Sequence, residues 1–199
     1  VIRLCSIECC FAHGLEECEH NRPFINDIKD WSEIAPNLYI WDYVVNYNQY
    51  LAPFPNFQVL ADNIMTFRKY NAIGIQEEAQ YQTLGGEFSD MKSWVIAKLL
   101  WNPELDTEAL TSEFISNYYD AASPYIQQYF DLCKGLVKPD TVMGIYINQW
   151  NPLYTDAFIA EAKALLDKAV ESVKDADETI RHRVDLVKLQ IAYLRVMRN

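Results

Sequence analysis

The sequence predicts an α/β fold built on parallel strands and followed by an all-helical region. Three observations carry that prediction. Strand-like runs occur at 1–9 (VIRLCSIEC), 37–45 (NLYIWDYVV) and 72–78 (AIGIQEE). A helical pattern precedes each of the last two. Beyond residue 86 the strand signals give way to a succession of helical ones. Strands alternating with helices imply parallel βαβ units, because parallel neighbours need a long crossover.

Each element has a local reason. Residues 24–34 place Phe24, Ile28, Trp31 and Ile34 at helical spacing, and residues 56–70 do the same with Phe57, Leu60, Ile64 and Phe67. Asn56 is the expected N-cap of that second helix. Residues 87–101 put Phe88, Met91, Val95 and Leu99 on one face. Pro103 ends that helix near Trp101, and Asp106 or Thr107 caps the next. Helices are expected at 107–119 and 123–135, and the tyrosines at 118, 119, 125 and 129 read as core. Residues 136–155 contain Pro139, Gly144 and Pro152 and read as a loop-like connection with a short strand at Met143–Ile147. Amphipathic helices at 156–174 and 177–198 form an antiparallel pair. The expected division is 1–102 for the α/β part and 103–199 for the helical part. Three parallel strands cannot close on themselves. They are expected to be the last three units of a (β/α)8 barrel of the TIM type, with the preceding units outside this chain.

Composition narrows the function. Half of the 199 residues are apolar and 14% are aromatic, which suffices for a sizeable core. The net charge is −11, and such a surface repels phosphate backbones and anionic lipid, so nucleic acid and membrane are poor partners. The basic residues Arg181, His182, Arg183, Arg195 and Arg198 are too sparse for a nucleic-acid patch. No apolar run reaches the ~18 residues of a membrane span. No signal peptide is visible at the opening VIRLCSIECC, which reads as a strand already under way. There is no G-x-x-x-x-G-K and no G-x-G-x-x-G, so no nucleotide cofactor is expected.

In a barrel the site lies at the C-terminal strand ends. Here those ends carry Glu8, then Trp41-Asp42-Tyr43 leading to Tyr47, then Glu77-Glu78 with Tyr81 beyond. Carboxylates in apolar strands are costly to bury without partners. Together with Tyr39 and the other flat aromatic faces they suggest a sugar pocket, since glycosidases set carboxyl groups about the scissile bond. The plainer alternative has Asp42 capping a neighbouring loop and one of Glu77 and Glu78 facing solvent. The opening stretch CSIECCFAHGLEECEH has the spacing C-x3-C-C-x2-H-x4-C-x-H, without a C-x2-C pair, so no metal site is expected. Its cysteines read as packing residues. His13 is either a pocket residue or a loop hydrogen-bonder.

The segments LYIWDYVVNYNQYLAPFPNF (38–57), GIQEEAQYQ (74–82) and MKSWVIAKLLWNPELDTEALTSEFISNYY (91–119) resemble the domain of unknown function 4838. That is a largely Bacteroidetes group of secreted or periplasmic proteins. It overlaps glycoside hydrolase family 163, whose characterised activity is endo-β-N-acetylglucosaminidase action on complex N-glycans. The element order is also similar to the end of a family 20 hexosaminidase barrel. The resemblance implies a secreted or periplasmic C-terminal portion of a glycoside hydrolase acting on N-acetylglucosamine-containing glycans. Asp42 and Glu77 would be catalytic. Trp41, Tyr43, Tyr47, Glu78, Tyr81, Glu8 and His13 would be substrate-binding, with Glu8 and His13 near the rim and the catalytic acid on an earlier strand. The group often has Gln where this chain has Glu78. A secreted location favours disulfides, and Cys10–Cys18 is the pair whose loop could close. The alternative is a non-catalytic carbohydrate-binding or structural fragment of the same fold. In either case the remaining barrel half or a second copy is expected to cover the open sheet edge.

Overall fold

The computed structural model describes residues 1–83 and 85–199. Three parallel strands form one sheet in the order β1 (Ile2–Cys5), β2 (Leu38–Tyr43), β3 (Ala72–Glu78). Helix α1 (Arg22–Ile34) links β1 to β2, and α2 (Leu60–Lys69) links β2 to β3. Then follow α3 (Ser89–Trp101), α4 (Thr107–Tyr118), α5 (Ser123–Lys134), α6 (Asp156–Ser172) and α7 (Glu178–Met197). The expected α/β plan with its parallel sheet and helical tail is present.

Three local expectations are corrected. Strand β1 stops at Cys5 rather than running to residue 9, because the Cys9 N–H turns back to the Ser6 carbonyl at 2.8 Å. Asn56 does not cap α2. Its amide donates to the Val44 carbonyl at 3.3 Å, and a 3-10 turn over Phe57–Val59 precedes the helix. Residues 143–147 form no ladder. They cross the strand exits as a strap with a turn at Ile145 and Tyr146, with Met143, Ile145 and Ile147 buried and Tyr146 outward.

Caps behave as the sequence chemistry demands. Asp106 accepts from the N–H groups of Glu108 and Ala109 at 2.8 and 3.3 Å. Thr155 and Asp177 do the same for α6 and α7 through Phe158 and Ile180. Gly74 has a steric cause: a Cβ there would fall inside the Tyr39 ring of the neighbouring strand.

The two halves share one core. Phe57 and Phe88 from the α/β part meet Phe130 of α5 at ring-centroid distances of 5.1 and 5.7 Å, and Phe88 meets Tyr129 at 5.8 Å. The buried Tyr129 hydroxyl donates to Gln190 of α7 at 2.8 Å, and Tyr154 donates to the Pro53 carbonyl at 2.8 Å. Lys92 is also buried. Its ammonium bonds Glu87 at 2.7 Å and the Val44 carbonyl at 3.0 Å, above the Phe57 ring. Burial of this pair raises the Glu87 carboxyl above its ordinary range, and the lysine opposes that rise.

Candidate functional site

Side chains alternate across a strand, and that alternation decides the site. On β2, Leu38, Ile40 and Asp42 face the helix layer, whereas Tyr39, Trp41 and Tyr43 face the open side. The register aligns Asp42 with Glu77 and Tyr43 with Glu78. The sequence-predicted residues are therefore split between two faces.

On the helix side, Asp42 is 2% exposed and accepts the Ser6 hydroxyl. Glu77 lies beside it, bordering a cavity of about 310 Å³ with Val44 and, from α3, Lys92, Ser93 and Ile96. The Glu77 stem is partly exposed, but its Oε2 is out of solvent and has no other partner among the described residues. Burial is the main cause that pushes Asp42 up to about 6 and Glu77 well above the ordinary carboxyl range; the neighbouring Asp42 charge raises Glu77 further. Hydrogen bonds from Ser6, the Tyr43 N–H and Glu77 hold Asp42 lower than burial alone would. The two carboxyls therefore titrate as one coupled pair, each held above its ordinary range.

On the open side, the Trp41 indole N–H donates to the Glu78 carboxylate. Trp41 stacks on Tyr43 with ring centroids 6.3 Å apart and planes 11° from parallel. Tyr47 meets Tyr43 edge-on at 5.6 Å, and its hydroxyl donates to the Glu78 carbonyl at 2.9 Å. Tyr50 follows at 5.7 Å from Tyr47. Arg3 places its guanidinium 5.6 Å from the Trp41 ring centroid. Burial pushes the Tyr43 phenol up to about 12, with Cys5 and Glu78 adding to it, so it remains a neutral hydrogen-bonding group.

The remaining predicted residues lie at the margins. Tyr81 is exposed beyond β3. Glu8 borders a groove of about 460 Å³ beside the open face, with Ile7, His20 and Tyr146. His13 is elsewhere, in a cavity of about 760 Å³ between the 12–20 loop and residues 134–142. The cysteines are free thiols, and Cys10 Sγ is engaged with the strap, accepting from the Met143 N–H at 3.4 Å. No cluster of three metal-ligating side chains occurs among the described residues.

Sequence reasoning missed Arg3, Cys5, Tyr50 and Tyr146. The first two sit on the open face by strand alternation, a signal available at 1–9. Tyr146 arrives through long-range contacts. The Tyr47 N–H donates to Ile145 O at 2.7 Å, and the Asn46 and Asn48 amides donate to Ile147 O and Tyr146 O at 2.9 and 3.1 Å.

This is a parallel α/β protein whose strand ends present one carboxylate within an aromatic wall. The chain belongs to the family described as Domain of unknown function (DUF4838), whose model matches residues 1–131. No curated protein and no solved structure matches it. No helix among the described residues is long and apolar enough to cross a membrane.

Proposed function

We propose that the chain is the C-terminal portion of a glycoside hydrolase acting on N-acetylglucosamine-containing glycans. Its sheet would then be the last three units of a (β/α)8 barrel, with the aromatic face turned to the lumen. One observation carries this reading: Glu78, Trp41 and Tyr43 form a hydrogen-bonded, stacked unit at the C-terminal ends of parallel strands. A flat amphipathic ring suits the apolar face of a pyranose, and the adjacent carboxylate accepts from its hydroxyls. A secreted or periplasmic location, with a glycan as partner, accompanies the proposal.

The carboxyl spacing shapes the mechanism. Flanking pairs stand about 5–5.5 Å apart in retaining enzymes and about 6.5–9.5 Å in inverting ones. Asp42 and Glu77 stand opposite one another in the β2–β3 register on the helix side, away from the aromatic face. Their part is to fix the strand ends that carry Trp41, Tyr43 and Glu78. A mechanism in which the substrate's acetamido oxygen attacks would take its acid, and the partner that steadies the acetamido group, from an earlier strand.

The test is direct. The wild type should bind N-acetylglucosamine, and Trp41→Ala should weaken binding by about tenfold or more, or ~1.4 kcal/mol. Absence of binding by the wild type refutes the proposal. The open face offers Glu78 as its carboxylate among the described residues, and this favours a second reading: sugar binding without hydrolysis. Release of glycans from a complex N-glycoprotein by the protein decides between the two.

A further inference from the structure

We infer that Tyr146 and Glu8 build a second sugar subsite beside the aromatic face, so that the protein holds an oligosaccharide rather than a single sugar residue. The inference rests on the glycan reading above. Tyr146 is 60% exposed although it is a large aromatic side chain between the aromatic wall and a groove. On one side its ring lies 6.4 Å from Tyr47, a member of the aromatic wall. On the other it lines the groove of about 460 Å³ that also holds Ile7, Glu8 and His20. A groove of that size falls within the usual range for small-ligand sites, about 300–1,000 Å³. The ring thus stands between the aromatic wall, which carries Glu78, and the groove, which carries Glu8.

The ring is held by backbone contacts rather than by chance packing. Tyr47 N–H, the Asn46 amide and the Asn48 amide all bond to strap carbonyls at 145–147. Met143 N–H bonds to Cys10 Sγ, and the Phe11 N–H bonds to the Met143 carbonyl at 2.8 Å. These bonds tie the strap to both the β1 and β2 exits. A preorganised aromatic loses little freedom on binding. The strap also lies beyond residues 1–131, which match the family. The aromatic wall of Trp41, Tyr43 and Tyr47 is therefore built from family-matched residues, and Tyr146 lies outside the matched span. Length preference for the glycan is placed on the strap.

The experiment compares N-acetylglucosamine with its β-1,4-linked trimer by titration calorimetry. The wild type should bind the trimer at least about tenfold tighter than the monosaccharide. Tyr146→Ala should remove most of that advantage and leave the monosaccharide affinity within about twofold, while Tyr146→Phe, which keeps the ring, should retain it. Glu8→Gln should weaken the trimer alone. Because Tyr146 is exposed, its truncation leaves the fold intact, which a thermal melt verifies. Equal affinity of the wild type for both sugars, or equal loss of both in Tyr146→Ala, overturns the second subsite and leaves the first standing. Failure of the wild type to bind either sugar overturns the glycan reading itself, and the subsite with it.

Discussion

The buried Asp42–Glu77 pair makes the fold lose stability as pH rises, and Glu77→Gln should remove the share of that loss that Glu77 contributes. An isolated Asp side chain titrates near 3.8, whereas burial holds Asp42 near 6 in the fold. Between those two values the folded state binds more protons than the unfolded one, so stability falls with increasing pH. At about 1.36 kcal/mol per pH unit, Asp42 alone costs about 3 kcal/mol once both states are ionised. Glu77, raised well above its ordinary 4.5, extends the decline to higher pH. For a chain of this size, 1 kcal/mol moves the midpoint by roughly 2–4 °C, so Asp42 accounts for a fall of about 6–12 °C between pH 4 and pH 8, and Glu77 adds to it. A glutamine at 77 donates its amide to the Asp42 carboxylate without a proton to lose. Melts followed by circular dichroism at pH 4 and pH 8 should show the variant close to wild type at the lower pH and more stable by several degrees at the higher. Taking the difference between the proteins removes groups with opposite linkage. One is Glu16, which its hydrogen bond from Lys69 holds below the ordinary range. Parallel midpoint-against-pH curves for the two proteins would refute the raised Glu77 carboxyl.

Other expectations follow from named contacts. Lys92→Met leaves the Glu87 carboxyl buried without its ammonium and should cost about 3–5 kcal/mol in urea unfolding, most of it recovered by adding Glu87→Leu. Gly74→Ala drives a methyl into the Tyr39 ring and should cost about 1–3 kcal/mol, with Tyr39→Ala as the compensating second change in a double-mutant cycle. Asp106→Ala removes the α4 cap and should lower stability by about 1 kcal/mol, read from the urea midpoint at constant slope. Tyr129→Phe strands the Gln190 carbonyl oxygen in the core, a loss of about 1–3 kcal/mol by the same assay.

The elements were legible where periodicity was strong. The α3 start near Phe88, the break at Pro103 and the Asp106 cap depend on nearby residues and could be read locally. The end of β1 could not, because it is set by a turn hydrogen bond between Ser6 and Cys9 that leaves no compositional trace. Asn56 looked like a cap, but tertiary structure offered its amide the Val44 carbonyl instead. The polar and aromatic residues gathered at the strand ends were visible as a group, yet their partition was not. Glu77 and Glu78 are adjacent in sequence and therefore point to opposite faces, and only the register with β2 reveals which neighbour is Asp42 and which is Tyr43. The strap was legible as alternation at 143–147 and misread as a strand, since a turn-containing strap bonded to loops can bury alternate residues as a strand does. His13 was drawn to the site by proximity in sequence, and the chain carries it to a different cavity.

The contact of Phe57 and Phe88 with Phe130 and Tyr129 bears on how this protein can be divided in the laboratory. A cut at 102 would strip the ring partners from Phe57 and Phe88 and leave two apolar walls in water, one on each product. Expression of residues 1–102 alone should give aggregate rather than a soluble sheet with its helices. A cut after 131 keeps Phe130 in place but deletes Tyr154 and Gln190, the hydrogen-bond partners of Pro53 and Tyr129. Engineering of this chain has to treat the helical tail as the lid of the core rather than as a detachable appendage.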